Sequence, residues 1–180
     1  MNAPIVATND ILVSLLRASF LTLAFTCPGS IRETPIRINS TNLAAATCSA
    51  EHKVLETLPC TGTIDWDSID GIAAAYDADS NELRYLASCA LKLWARVKAS
   101  FPNAFTEVAV EHTLKISGLK ITGHIDGVSI SGDVARIWDW KCGRLDNDYY
   151  HQMMAYASMI LLEYQQIREV TATILWVLVS

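Results

Sequence analysis

The sequence has no excess of positive charge, no C-x-x-C pair, no internal repeat, no low-complexity tract and no uninterrupted apolar run of bilayer length. Each absence excludes a class. A formal net charge of -5 rules out a generally basic nucleic-acid coat, although net charge speaks to solubility and long-range steering rather than to one cleft. Cys27, Cys48, Cys60, Cys89 and Cys142 are odd in number and widely spaced, which argues against a thiolate zinc site or a redox pair. Reduced thiols in a cytoplasmic protein are the expectation. The apolar run from Ile11 to Phe25 has Asp10 before it, Arg17 in its middle and no basic stretch ahead of it, so a buried helix is expected there rather than a signal peptide or membrane anchor.

What is present suits one globular domain: 180 residues, 51% of them apolar. Acid is concentrated in Asp65, Asp67, Asp70, Asp77, Asp79 and Glu82. From Lys92 to Arg144 the balance reverses, with eight lysines and arginines against five acids, so the second half can present a positive cleft. The pattern divides residues 1–180 into N-terminal helices and loop (1–61), an acidic, solvated insertion (62–81), and a helix plus sheet core (82–180).

Ile11, Leu12, Leu15, Leu16 and Phe20 have helical spacing behind an Asn9 or Asp10 cap, and Pro28-Gly29 stops it. An irregular loop follows, then a helix from Leu43 to Leu58 that carries Glu51 and His52 and is closed by Pro59. A short helix is expected at Ile72 to Tyr76. Leu83, Leu86, Ala90, Leu93 and Val97 form an apolar helical stripe that ends at Pro102. The period then changes to two: 107–111, 119–128 and 134–140 read as strands joined at Ser117-Gly118 and Ser131-Gly132, an antiparallel meander. Tyr149 to Tyr164 returns to helical spacing, and 171–179 is a β-rich final strand. The class is α/β (α+β), in the order helix, three strands, helix, strand.

Within this meander, two strand-like stretches hold charge where apolar residues would serve. Side chains alternate along a strand, so His124 and Asp126 share one face, and Asp139 and Lys141 share one face of the next strand. Two carboxylates side by side near a core repel, and burial of either without a partner costs several kcal/mol. Lys141 alone does not neutralise both, and a hard divalent cation, Mg²⁺ or Mn²⁺, would complete the site. The plain alternative is that Asp126 caps a turn while Asp139 pairs with Lys141 on a solvent-facing edge. Gln152 and Tyr156 lie one helical turn apart, on a face different from the stripe of Met153, Ala157 and Ile160; that polar face is either purposeful or merely wet.

Gly123-x-Ile125-Asp126, Ile137-x-Asp139-x-Lys141, Gly143 and Gln152-x-x-x-Tyr156 resemble, in order and spacing, the motifs of the PD-(D/E)XK nuclease superfamily, in particular its RecB-like exonuclease branch. Upstream, "CPGS" at Cys27 to Ser30 and "SAEH" at Ser49 to His52 are similar to amino-terminal elements of phage and bacterial members. The resemblance implies a restriction-endonuclease-like α-β-β-β-α-β core, a mixed central sheet flanked by helices. It implies that Asp126 and Asp139 bind Mg²⁺ or Mn²⁺, with His52 and the Trp140 carbonyl as further ligands, and Glu111 as an outer one, Glu107 having the same parity. Lys141 would orient or activate the water and stabilise developing charge, and Gln152 and Tyr156 would brace Lys141 or touch the DNA backbone. Several members of the branch hold an iron-sulfur cluster; with no cysteine beyond Cys142, none is expected here.

The function implied is a metal-dependent DNA nuclease, an exonuclease of recombination, repair or phage DNA processing. Alternatives are a structure-specific or restriction-type endonuclease and a degenerate nuclease fold that only binds DNA. DNA is the expected partner, contacted through Lys115, Lys120, Arg136 and Arg144 in a salt-sensitive way. A homo-oligomer or a recombination or replication protein is a further partner, and no membrane is expected. His112, His124 and His151 are read as structural or surface residues, and the tryptophans as mostly core.

Overall fold

The structure, a computed structural model, describes residues 15–17, 43–113, 120–142 and 149–177. The elements run β1 (Leu15–Arg17), α1 (Leu43–Leu55), α2 (Leu58–Thr61), α3 (Ile69–Tyr76), α4 (Ser80–Val97), a 3₁₀ turn (Lys98–Ser100), β2 (Ala104–Thr113), β3 (Lys120–Ser131), β4 (Val134–Cys142), α5 (Tyr150–Glu163) and β5 (Glu169–Val177). Among the described residues the strands form one mixed sheet of five strands. β2 and β4 are antiparallel to β3, while β5 runs parallel to β4 and β1 parallel to β3.

Local chemistry accounts for most of these boundaries. Asp79 caps α4 by accepting a hydrogen bond from the Glu82 amide, and Leu83, Leu86, Ala87, Ala90 and Trp94 make its buried stripe. The β3–β4 hairpin closes at the pair Ser131↔Val134, with Gly132 at φ +62 in the turn. The parallel pairing of β4 and β5 requires a crossover, which α5 supplies.

Two cores lie against the sheet. On one side α1 to α4 and the residue after the 3₁₀ turn pack Leu55, Leu58, Ile69, Leu86, Trp94 and Phe101 onto Trp138, Trp140, Leu175 and Val177. On the other, α5 packs Met153, Tyr156, Met159 and Ile160 onto Ile125, Val128, Ala135 and Ile137. Gly127 lies directly beneath the Trp138 indole of the neighbouring strand, in space that a β-carbon would occupy. Trp94, Trp138 and Trp140 are therefore core residues, as read from the sequence.

Four sequence expectations change. Most of the apolar run from Ile11 to Phe25 lies outside the described residues, but Leu15–Arg17 is a strand rather than helix, because pairing with Lys120–Thr122 of β3 supplies its backbone partners. Pro59 opens α2 instead of closing α1, a position where its missing N–H costs nothing. The acidic segment is not wholly solvated: Ile64, Ile69 and Ala73 are buried in the first core. The cysteines are not all reduced, since Cys48 on α1 and Cys142 at the end of β4 form a disulfide, while Cys60 and Cys89 are free. The Ser117-Gly118 turn and the "CPGS" element lie outside the described residues. No helix among the described residues is long and apolar enough to cross a membrane.

Candidate active site

The functional side chains gather where β3 and β4 part. Their ladder runs from Ser131↔Val134 to Gly127↔Trp138 and stops there. Beyond that rung β3 continues with β2 and β1, whereas β4 continues with β5. The next pair would be Asp126 and Asp139, so both carboxylates stand at the fork. Asp126 is 8% exposed and Asp139 2%.

Asp126 fills the gap with its own oxygens. Its Oδ2 accepts a 2.6 Å hydrogen bond from the Trp140 amide, and its Oδ1 lies 3.2 Å from Nδ1 of His52 on α1. Burial alone would lower the His52 pKa, but the hydrogen bond and charge of Asp126 outweigh it and the pKa is raised. Asp139 faces α5. Gln152 Nε2 donates to Asp139 Oδ1 at 3.3 Å and to Tyr156 Oη at 3.1 Å, and Lys141 Nζ pairs with Asp139 Oδ2. Burial first, then the charge of Asp126, push the Asp139 pKa up to about 6 despite Lys141. Burial, followed by the charge of Asp139, likewise raises Tyr156. The Tyr156 ring approaches so closely that only glycine fits at position 123.

The arrangement revises several roles expected from the sequence. Gln152 and Tyr156 are buried with Met153 and Ile160 rather than on a wet face, and Gln152 braces Asp139 instead of Lys141. Trp140 meets Asp126 through its amide. Glu111 is not at the fork: it pairs in register with Thr122, about 13 Å along β3 from Asp126, and its carboxylate is tied to Lys120 at 2.6 Å. Lys120 is correspondingly engaged, and Arg136 lies half-buried opposite Ser129. Lys115 and Arg144 fall outside the described residues.

One carboxylate near the fork, Glu51, was given no role by the sequence reading, and a second, Glu107, was weighed there only as sharing the parity of Glu111. Glu51, adjacent to His52, is 1% exposed and neither of its oxygens has a hydrogen-bond partner. Burial first, then the charges of Asp126 and Glu82, push its pKa up to about 7, with His52 opposing. Its signal was present: Thr47, Glu51, Val54 and Leu55 share the buried stripe of α1, where a carboxylate is out of place. Glu107 lies between Thr106↔Gly127 and Val108↔Ile125, and is thus the β2 residue opposite Asp126. It holds φ at +52, and its pKa is raised by burial and by Asp126. No composition rule reveals a left-handed residue inside a strand.

Asp126, Asp139 and Glu51 give the fork three buried carboxylates, against Lys141 and a partly exposed His52. Hard oxygen donors in excess of cations, two of them without hydrogen bonds on Glu51, fit a divalent cation of the Mg²⁺ or Mn²⁺ type. Among the described residues no three His, Cys, Asp or Glu side chains are already grouped as a cage, because Asp139 is drawn toward Lys141 and Gln152 while Asp126 is drawn toward Trp140 and His52.

Comparison with known proteins adds family membership to this geometry. No curated protein matches the chain. A solved structure, the crystal structure of a protein called SSO0001, is 17% identical with a TM-score of 0.31; the match covers 73% of this chain and 60% of that one. The family model of the PD-(D/E)XK nuclease superfamily matches residues 44–179, a span that holds His52, Asp126, Asp139, Lys141, Gln152 and Tyr156. With that match over most of its length, the chain belongs to the PD-(D/E)XK nuclease superfamily.

Proposed function

We propose that the protein is a metal-dependent deoxyribonuclease that hydrolyses phosphodiester bonds from DNA ends. The observation that carries this reading is the fork itself: Asp126 and Asp139 adjoin at the last rung of the β3–β4 ladder, with Lys141 paired to Asp139 and His52 to Asp126. The exonuclease assignment is supported by the order and spacing of the motifs, which resemble the RecB-like branch.

Asp126 and Asp139 would hold the cation, with Glu51, His52 and the Trp140 carbonyl as the groups that would complete its shell. The ion, when bound, would lower the pKa of a water and neutralise charge on the scissile phosphate. The other steps fall to the chain. Lys141, held beside Asp139, can donate to the attacking water or to the phosphoryl oxygens as charge develops on them. Gln152 keeps Asp139 aimed by one amide hydrogen bond while Tyr156 anchors Gln152, so α5 fixes the acid's rotamer. Trp140 and His52 do the same for Asp126. Glu111, bound to Lys120, has no part in this.

The test is cleavage of linear and covalently closed circular DNA with Mg²⁺ or EDTA, comparing the native chain with Asp139→Ala and Lys141→Ala. Linear DNA should be degraded only with the metal, circles should survive, and each variant should lose about 10²-fold or more. Cleavage of closed circles would make the enzyme an endonuclease. Undiminished hydrolysis by both variants would remove the site from where it is placed here.

A further inference from the structure

Lys141 is gripped on a second side by groups outside the fork. Its Nζ lies over the ring of Tyr149, 4.9 Å from the centroid. Tyr149 is in turn edge-on to Trp176, with ring centroids 5.6 Å apart and planes at 60°. Trp176 is the β5 residue in register with Lys141. The stem of the lysine therefore runs beside an aromatic pair whose members come from two different elements. Tyr149 also begins the first turn of α5, where its carbonyl accepts the Met153 amide at 3.0 Å. The same turn presents Gln152 to Asp139. One turn of helix thus holds both members of the Lys141–Asp139 ion pair, the acid by an amide and the cation by a ring face.

We propose that Tyr149, supported by Trp176, is a positioning residue that holds the Lys141 ammonium at the site. The proposal rests on Lys141 acting in hydrolysis, as argued above, and adds how the chain keeps it in place. A cation is drawn to the negative face of an aromatic ring most strongly when both are shielded from water. Lys141 is largely shielded, its side chain being 15% exposed. A lysine has a long flexible stem, and the ring holds the ammonium independently of its ion pair with Asp139. The ring face does this without competing for the metal, which a second carboxylate would do.

Two measurements on Tyr149→Phe and Tyr149→Leu test it. The first is independent of activity. A lysine ε-methylene above a ring has its proton resonances shifted upfield, and the Lys141 signal is assigned by its disappearance in Lys141→Ala. The upfield signal should be present in the native chain, persist in Tyr149→Phe and return toward the ordinary lysine position in Tyr149→Leu. The second is steady-state cleavage: Tyr149→Leu should lower kcat about ten-fold with KM little changed, and Tyr149→Phe should restore it. A Lys141 signal at the ordinary position in the native chain, or one unmoved by Tyr149→Leu, overturns the proposal. So does an unchanged kcat in Tyr149→Leu when Lys141→Ala abolishes cleavage. If the native chain cleaves no DNA, the functional reading fails and the resonance alone decides whether the cradle exists.

Discussion

Glu51 offers a test of the electrostatics that does not depend on substrate. Its carboxyl is buried with both oxygens unpartnered, and its pKa is raised from the ordinary 4.5 to about 7. A carboxyl raised in the folded state stays protonated there at a pH where the unfolded chain has already released its proton. The folded state then binds more protons, so stability is full below about pH 4.5, falls as pH rises toward 7 and levels off above. At 1.36 kcal/mol per pH unit, the interval from 4.5 to about 7 corresponds to about 3 kcal/mol of lost stability at pH 8. Asp139, raised to about 6, and His52, also raised, act with the same sign, so they add to the slope rather than mask it. Glu51→Gln keeps the shape and removes the charge. In EDTA at pH 8 the variant should exceed the native chain by roughly 2 to 3 kcal/mol, a urea midpoint higher by about 1 to 2 M. Near pH 4.5 the two should agree closely. Mg²⁺ at pH 8 should stabilise the native chain more than the variant, since a cation offsets a charge that the substituted amide lacks. Equal stability differences at both pH values, or a variant weaker than native at pH 8, would refute the assignment of an unpaired buried charge to Glu51.

Gly123→Ala should cost about 1 to 3 kcal/mol and depress cleavage, because its methyl group would overlap the Tyr156 ring that anchors Gln152. Gly71→Ala, which meets nothing within 4 Å, is the control; equal melting temperatures for the two variants would contradict the close approach. The disulfide between Cys48 and Cys142 joins positions 94 residues apart, and Cys48→Ser should lower stability by about 2 to 4 kcal/mol in the absence of reductant. Peptide mapping without reduction should recover the linked pair, and an unfolding midpoint unmoved by reductant would argue against it.

The α4 stripe, the hairpin at Gly132 and the order of β2, β3, β4, α5 and β5 were legible because each follows from a period or a turn residue that acts locally. What was not legible depends on pairing across the chain. Leu15–Arg17 carries an apolar pattern that suits a helix, and only the partner edge at Lys120–Thr122 makes it a strand. The choice between Glu107 and Glu111 likewise turned on register: parity put both on one face, but one lies opposite Asp126 and the other opposite Thr122. The acids Asp126 and Asp139 were visible as charge inside strands. That Gln152 serves Asp139 rather than Lys141 depends on how α5 seats on the sheet, which spacing alone does not fix.

The placement of the acids follows from the sheet's own hydrogen-bond accounting. Where β4 leaves β3 after Gly127↔Trp138, the Trp140 amide loses the strand that would have paired it, and an unpartnered buried N–H costs about 1 to 3 kcal/mol. Asp126 supplies the missing acceptor at 2.6 Å from the strand that left. A charged acceptor makes a stronger bond than a neutral one, but it brings a negative charge to within one rung of Asp139. Satisfying the backbone at the fork therefore creates the electrostatic excess that a cation can relieve. The separation of two strands and the burial of their acids are in this protein one structural event, and the cation binding proposed for the fork would follow from it. Asp126→Asn, which keeps the acceptor and removes the charge, should accordingly preserve the fold while abolishing Mg²⁺-dependent stabilisation; Asp126→Ala should lose both.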